Sequence, residues 1–260
     1  MIETAYHLEG APFLALLGDF HNGEVTPILC SLERHSPSLI CIAGDLVYAR
    51  APEAGLIVET QNNILPLLRG CTAIAPTFLS LGNHESILCE DDSALIRSTG
   101  TIVLDNEWHR QGEFWMGGLT SHYVLNRRAF RAAHPSTERY PIHQRDPEWK
   151  LIREPDTRWL TNLPEGFKIL MSHHPEYLPL IPREVECILS AHAHGGQWRF
   201  YNLFRKEWQG LYAPGQGWFP RLTSGINGHM VITRGLNNTA RVPRINNPTE
   251  IVYIGDVHHV

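Results

Sequence analysis

Short continuous apolar runs alternate with helical spacings through the first hundred residues. Positions 13–17, 39–43 and 77–81 are unbroken apolar runs, the pattern of strands buried on both faces. Between them, 24–35 places Ile28, Leu29 and Leu32 at helical spacing, with Pro27 in the first turn where a missing N–H is tolerated. Positions 53–68 repeat the helical spacing at Ile57, Ile64, Leu65 and Leu68, and Pro66 is expected to bend or shorten that helix. Asp92 predicts the N-cap of a helix over 93–98 that stops at Gly100. Strands joined by helical crossovers imply a parallel sheet and an α/β class. Past residue 100 the pattern is strand-rich, with runs at 101–104, 114–119, 167–172, 186–190, 230–233 and 251–254 and one helix at 156–163. Positions 121–150 are rich in Arg, His and Pro and lack periodicity. The expectation is one domain over 1–260, with 121–150 as a loop or cap insertion.

Composition narrows the function. Hydrophobic residues make up 43% of the 260 positions and charged residues 19%, enough for a packed core. The net charge of −5 argues against a protein whose task is to neutralise nucleic-acid phosphates, so no specific nucleic-acid binding is expected. The longest apolar runs are too short to span a membrane. The first ten residues have no apolar signal core, and the five cysteines form no C-x-x-C pair. Both features suggest a cytoplasmic protein with reduced thiols. The 15 histidines stand against only three lysines, and histidine is the commonest metal ligand and general acid–base group.

Their placement is informative. Open α/β sheets bind ligands beyond the carboxyl ends of their strands. The predicted strands here end in Gly18-Asp19-Phe20-His21, Gly44-Asp45, Gly82-Asn83-His84-Glu85, Ser172-His173-His174 and Ala191-His192-Ala193-His194-Gly195-Gly196. Side chains at i and i+2 of an extended segment share a face. Asp19 and His21 are therefore expected to face one ion, and His192 and His194 one site. Asp45, a carboxylate with two oxygens, is a candidate bridge between two cations. The tandem His173-His174 should point to opposite faces, so only one is expected to ligate. Any single cluster also fits a capped turn; five at five strand ends point to a metal site.

The order of these motifs resembles the calcineurin-like metallophosphoesterase family, whose pattern is D-x-H, G-D, G-N-H-E, a lone His and G-H-x-H. Here these are Asp19-Phe20-His21, Gly44-Asp45, Gly82-Asn83-His84-Glu85, His173 and His192-Ala193-His194, within a resemblance spanning roughly 13–255. Ser-His-x-Pro at 172–175, His-x-His-Gly-Gly-Gln at 192–197 and Asn-Pro-x-Glu-Ile at 247–251 look like the bacterial YkuE/YaeI-type branch. The resemblance implies a four-layer α/β/β/α sandwich with two mixed β-sheets. It also implies two divalent metal ions, one on Asp19, His21 and His194, the other on Asn83, His173 and His192, bridged by Asp45. Alignment of Pro175 with the family proline favours His173 over His174. His84 would face the substrate. Two positions depart from the pattern: Ala191 stands where glycine is usual before the His pair, and Thr120-Ser121 stands where the branch often carries acids.

The implied activity is a metal-dependent phosphoesterase, in particular a phosphodiesterase, that uses a hydroxide bridging a dinuclear centre. Its substrate would be a small phosphate ester or a nucleotide. Oxygen and imidazole ligands without thiolate suit Mn, Fe, Zn, Co or Ni. The proposed catalytic pair is His84 and Asp45: His84 would stabilise phosphoryl oxygens or protonate the leaving oxygen, oriented by Glu85 or, as the resemblance favours, Asp45. A non-catalytic metal-binding scaffold of the same fold is the alternative; retention of all seven ligands and His84 favours the enzyme. Two further expectations follow. Arg127, Arg128 and Arg131, with the other basic residues of 121–150, could form a phosphate-recognising lid. Trp198, Phe200, Tyr201, Phe204 and Trp208 are expected to serve core or sheet packing in preference to base stacking.

Overall fold

The computed structural model describes residues 1–50, 54–133, 152–204, 206–239 and 242–255. Its first part comprises β1 (Ile2–His7), β2 (Leu14–Leu17), α1 (Thr26–His35), β3 (Leu39–Ile42), α2 (Ile57–Thr60), α3 (Ile64–Ile74), β4 (Thr77–Ser80), α4 (Glu90–Ser98) and β5 (Ile102–Leu104). Then follow β6 (Glu107–Gln111), β7 (Phe114–Leu119), α5 (His122–Ala133), β8 (Phe167–Ser172) and β9 (Cys187–Ser190). Two short ribbons, β10 (Arg199–Asn202) with β11 (Glu207–Gly210) and β12 (Tyr212–Ala213) with β13 (Gly217–Trp218), lead to β14 (Gly225–Asn227), β15 (Met230–Ile232) and β16 (Glu250–Gly255).

The strands build two six-stranded sheets, in the orders β1-β16-β2-β3-β4-β5 and β14-β15-β9-β8-β7-β6. In the first, β2 to β5 run parallel and β16 lies antiparallel to β2. In the second, β15, β9, β8 and β7 run parallel between antiparallel β14 and β6. Both sheets are therefore mixed, as the family resemblance implies. The runs at β2, β3 and β4 are buried at every position because alternate side chains enter different cores. Leu14, Leu16, Cys41 and Phe78 join Met116, Ile169, Met171 and Leu189 between the sheets. Ala15, Leu17, Ile40 and Ile42 face Ile28, Leu32, Leu67 and Leu68 of the helices on the outer face. The opposite face of the second sheet is covered by Leu160, Tyr177, Ile181 and Val185, which come from 3₁₀ turns and loops. Among the described residues no helix is long and apolar enough to cross a membrane.

Several local expectations need correction. The helix expected over 53–68 is two helices, and Pro66 lies in the first turn of α3, where it starts the helix instead of bending it. Asp92 is not the cap of α4 but its third residue: its carboxylate accepts the N–H of Cys89 at 3.1 Å and of Val58 at 3.1 Å, fixing the helix start and tying it to α2. The helix expected at 156–163 is a single 3₁₀ turn, Arg158–Thr161. Positions 122–133, expected within a loop, form α5; positions 134–150 of that segment lie outside the described residues.

Where β2 and β9 end, the sheets touch. A Cβ added to Gly18 would lie 2.5 Å from the Cβ of Ala191. The alanine that replaces the usual glycine is therefore accommodated by a glycine opposite. Gly18→Ala should cost about 1–3 kcal/mol in urea unfolding, and Ala191→Gly in the same chain should recover most of it. Equal losses in the single and double variants would show that the two positions do not oppose each other.

Candidate metal centre

The carboxyl ends of β2, β3 and β4 and those of β8 and β9 meet at one edge of the sandwich. There the chain must turn sharply so that the first polar side chains point back across the sheet ends. Asp19, His21, Asp45, His192 and His194 all take positive φ, from +44° to +62°. This is a region that non-glycine residues occupy at a cost of order 1–3 kcal/mol each. Backbone bonds hold the turns: Asp19 N–H donates to Gly44 O at 3.2 Å and His21 N–H to Asp45 O at 3.1 Å. Asp19 and His21 thus converge through left-handed turns and not through the extended i, i+2 relation that the spacing suggested.

Glu85 locks two of these turns together. Its buried carboxylate accepts N–H bonds from Asp45 (2.8 Å), Leu46 (2.8 Å), Val47 (3.2 Å) and Gly82 (2.8 Å). Burial and the neighbouring Asp45 charge push its pKa up. Glycine is required at 82, where a Cβ would meet Asp45 Oδ1 at 2.4 Å. The carboxylate considered in the sequence as an orienter of His84 therefore orients backbone instead. His84 is oriented through its ring: Nδ1 accepts the Ala49 N–H at 2.9 Å, while its own backbone N–H donates to Asp45 Oδ1 at 2.8 Å.

Four overlapping donor groups result among the described residues, and two of them consist wholly of residues that the resemblance implies as ligands. Asp19, His21 and His194 form the first; Asp45, His173 and His192 form the second; His21–Asp45–His84 and His174–Glu176–His192 are the others. In the first, Asp19 Oδ1 is 3.7 Å from His21 Nε2 and 3.6 Å from His194 Nε2. In the second, His173 Nε2 is 3.2 Å from Asp45 Oδ2, 3.1 Å from Asn83 Oδ1 and 3.2 Å from His192 Nδ1. Asp45 Oδ2 also lies 3.8 Å from His21 Nε2, so one carboxylate oxygen stands between the groups. His192 and His194, expected at one site together, divide between the two.

The donor set fits a cation. Both oxygens of Asp19 and Nε2 of His21 are buried without a hydrogen-bond partner, an expensive arrangement unless an ion satisfies them. His21 Nδ1 lies 3.2 Å from Val47 O and His173 Nδ1 lies 2.7 Å from Ala43 O. Donation to these carbonyls puts the ring proton on Nδ1 and turns the Nε2 lone pair inward. His194 differs: Arg244, which can only donate, lies 3.1 Å from Nδ1, leaving the proton on Nε2. A cation at that Nε2 would shift the proton to Nδ1, and Arg244 would keep its bonds to Arg234 O and Asn237 O.

The charges of the cluster's own side chains follow from burial and pairing. Burial lowers His21 to about 4 and His194 to about 3, and holds His192 and His174 well below the ordinary range. Burial raises Asp19. It would do the same to Asp45, but the surrounding imidazoles, His173 foremost, hold that carboxyl well below its usual value. Burial opposes the charge on His173 too, yet Asp45 and Asp19 together raise it to about 10. His173 and Asp45 form the one strongly ionised pair of the cluster.

Further residues surround this core. His174 is buried beside His192, with ring centroids 4.2 Å apart. Its Nε2 lies 2.8 Å from Ser121 Oγ and its Nδ1 3.3 Å from Glu176 Oε1. Ser121, at the second departure from the family pattern, thus supports the histidine next to a candidate ligand. Asn247, from the Asn-Pro-x-Glu-Ile stretch, donates to His194 O at 2.7 Å and Gln197 O at 3.1 Å, bracing the His-x-His loop. A cleft of about 620 Å³ opens over the cluster, lined by Asp45, Asn83, His84, His174, His192 and His194, with Arg127 and Tyr212 alongside. Of the three arginines expected in a lid, Arg127 lines this cleft. Arg128 pairs instead with Asp105, and Arg131 donates to Leu88 O at 3.1 Å. Sequence reasoning singled out neither Glu176, Arg244 nor Asn247 as a site residue. Glu176 follows the His-His-Pro run directly, but Arg244 sits in a loop with no local signal.

Residues 14–196 match the model of the calcineurin-like phosphoesterase family. Comparison with curated proteins gives no match. The matched span covers most of the chain and contains every residue of both donor groups. With its two stacked mixed sheets and its His/Asp clusters at the strand ends, the chain belongs to the calcineurin-like phosphoesterase family.

Proposed function

We propose that this metal-dependent phosphoesterase hydrolyses phosphodiesters at a pair of divalent cations. Asp19, His21 and His194 would hold one cation and Asn83, His173 and His192 the other, with Asp45 shared. The observation that carries the reading is the position of Asp45 Oδ2, 3.2 Å from His173 Nε2 and 3.8 Å from His21 Nε2, between the two donor sets. Two cations there would neutralise nonbridging oxygens, lower the pKa of a bound water and align nucleophile with leaving group. The absence of thiolate from the donor set suits Mn, Fe, Zn, Co or Ni.

The chain's own groups supply the rest. His84 accepts the Ala49 N–H at Nδ1, so in its neutral form the proton sits on Nε2, 3.8 Å from Asp45 Oδ2 and facing the cleft. From there it can donate to a phosphoryl oxygen or to the departing ester oxygen, which as an alkoxide leaves poorly without a proton. Glu85, through four backbone bonds, keeps the Asp45 and His84 turns in register. The cleft volume of about 620 Å³ lies within the usual range for small-molecule sites and leaves room for substituents on both sides of a phosphate. A small phosphate ester or a nucleotide fits that description, and the five free cysteines suit a cytoplasmic site of action.

Two outcomes are expected. His84→Ala should keep its metal content but lose about 10²–10⁴-fold in turnover of a small alkyl phosphodiester, whereas Asp45→Asn should lose metal along with activity. Elemental analysis beside the rate assay separates them, and loss of metal in His84→Ala would refute the assignment. The second outcome concerns protons. His173 has its pKa raised to about 10, so below that pH it is protonated and a cation must displace the proton. Cation affinity should therefore rise with pH, by about tenfold per unit between pH 6 and 8 for one released proton. Calorimetric titration in buffers of different ionisation enthalpy counts that proton; a count of zero would show that His173 is not a ligand.

A further inference from the structure

The two ribbons after the His-x-His loop carry an unusual surface. The aromatic residues expected to pack there are exposed instead. Phe204 is 100% exposed, Leu203 79% and Trp218 68%, and Tyr201, Trp208, Tyr212 and Phe219 are about half exposed. Their rings pack against one another: Tyr201 on Trp208 with centroids 5.9 Å apart, Phe200 on Phe219 at 6.1 Å, and Tyr212 on Trp218 at 5.4 Å. Leu203 and Phe204 occupy the tip between β10 and β11. Tyr201 and Trp208 lie on one face of the β10–β11 ribbon and Phe200 on the other, so exposed apolar side chains lie on both faces behind the tip, the kind of surface that marks an interaction site.

Charge identifies the occupant. The chain carries a net −5, yet among the described residues between 198 and 221 the exposed charges are Lys206 and Arg221 against a single acid, Glu207. Lys206 belongs to the same tip as Phe204, and Arg221 lines a surface hollow with Trp208. An aliphatic and an aromatic side chain at a tip, Trp and Tyr behind them, and cations at the margin form the pattern of a segment that enters a lipid interface. The tip would insert while the indoles and phenols sit at headgroup level. A base-stacking surface would have no use for Leu203, which has no π-face.

We infer that the β10–β11 tip, with the flanking aromatic surface, docks this protein onto an anionic lipid membrane. The orientation is set by a contact already described. Tyr212, whose ring meets Trp218, also lines the metal cleft, so docking brings the cleft beside the headgroup layer. Access of the cleft to phosphate esters of lipids then follows; that consequence rests on the phosphodiesterase reading, and the docking does not.

The test is flotation of the full-length protein with vesicles of phosphatidylcholine alone or mixed with phosphatidylglycerol. The protein should float with the anionic vesicles and far less with the neutral ones. The double variant Leu203→Ser/Phe204→Ser should lower the bound-to-free ratio about tenfold or more. Lys206→Glu should lower it several-fold, and added salt should weaken it. Both side chains of the double variant already lie in water, so turnover of a soluble aryl phosphodiester should stay unchanged and report an intact fold. Flotation tests the docking whether or not the cleft hydrolyses diesters. No flotation with either vesicle, or flotation indifferent to the double variant, would overturn the inference. So would a dimer, or single-stranded oligonucleotide binding, that the double variant abolishes while vesicles are ignored.

Discussion

The site depends on one carboxylate. Asp45 Oδ1 is fixed by the backbone N–H of His84 at 2.8 Å, which leaves Oδ2 to face His21 and His173 from a set direction. Asp45 stays ionised in a fully buried position because His173, His84 and His21 surround it. Ionised Asp45 in turn keeps His173 charged. The two oxygens of Asp19, buried without a hydrogen-bond partner, are left for a cation to satisfy.

The two sheets contribute to both donor groups. Asp19 and His21 follow β2 and Asn83 follows β4, all in the first sheet; His173 follows β8, and His192 and His194 follow β9, in the second. Each proposed cation therefore draws ligands across the sandwich, and its geometry depends on how the sheets are spaced. The shared apolar cluster, with Leu16 and Cys41 facing Met171 and Leu189, sets that spacing with close-packed side chains. Strain at five left-handed positions of the site is held locally by Glu85 and Asn247, which satisfy backbone groups that the sharp turns would otherwise leave unpaired.

What the sequence made legible follows the same physics. Strands buried on both faces announce themselves as apolar runs, so β2, β3, β4, β8 and β9 could be read directly, and with them the polar residues at their ends. Three edge strands, β1, β6 and β14, were missed, while the edge strand β5 was read from the run at 101–104. β1 reads Ile-Glu-Thr-Ala-Tyr-His and β6 reads Glu-Trp-His-Arg-Gln; each lies at the margin of its sheet and needs no continuous apolar run. α5 was hidden because its inward face is partly polar. Asn126 is buried through bonds to the Ile152 N–H and C=O, at 2.8 and 2.7 Å, and Arg127 is buried beside it, so the hydrophobic period never appears. The turn at 158–161 looked helical, but the Asp156 carboxylate takes the Arg158 N–H at 3.1 Å, a local bond that competes with helix extension. The aromatic residues of 198–208 were expected to pack because large rings usually bury, and their exposure on two-stranded ribbons left no signal in the sequence.

The central claim is that one carboxylate oxygen joins two cation sites. Anomalous diffraction from crystals loaded with manganese tests it most directly. The account predicts two peaks about 3.5–4 Å apart, one beside Asp19, His21 and His194 and the other beside Asn83, His173 and His192, with Asp45 in contact with both. A single peak after full loading, or a pair of peaks that Asp45 does not touch, would contradict it.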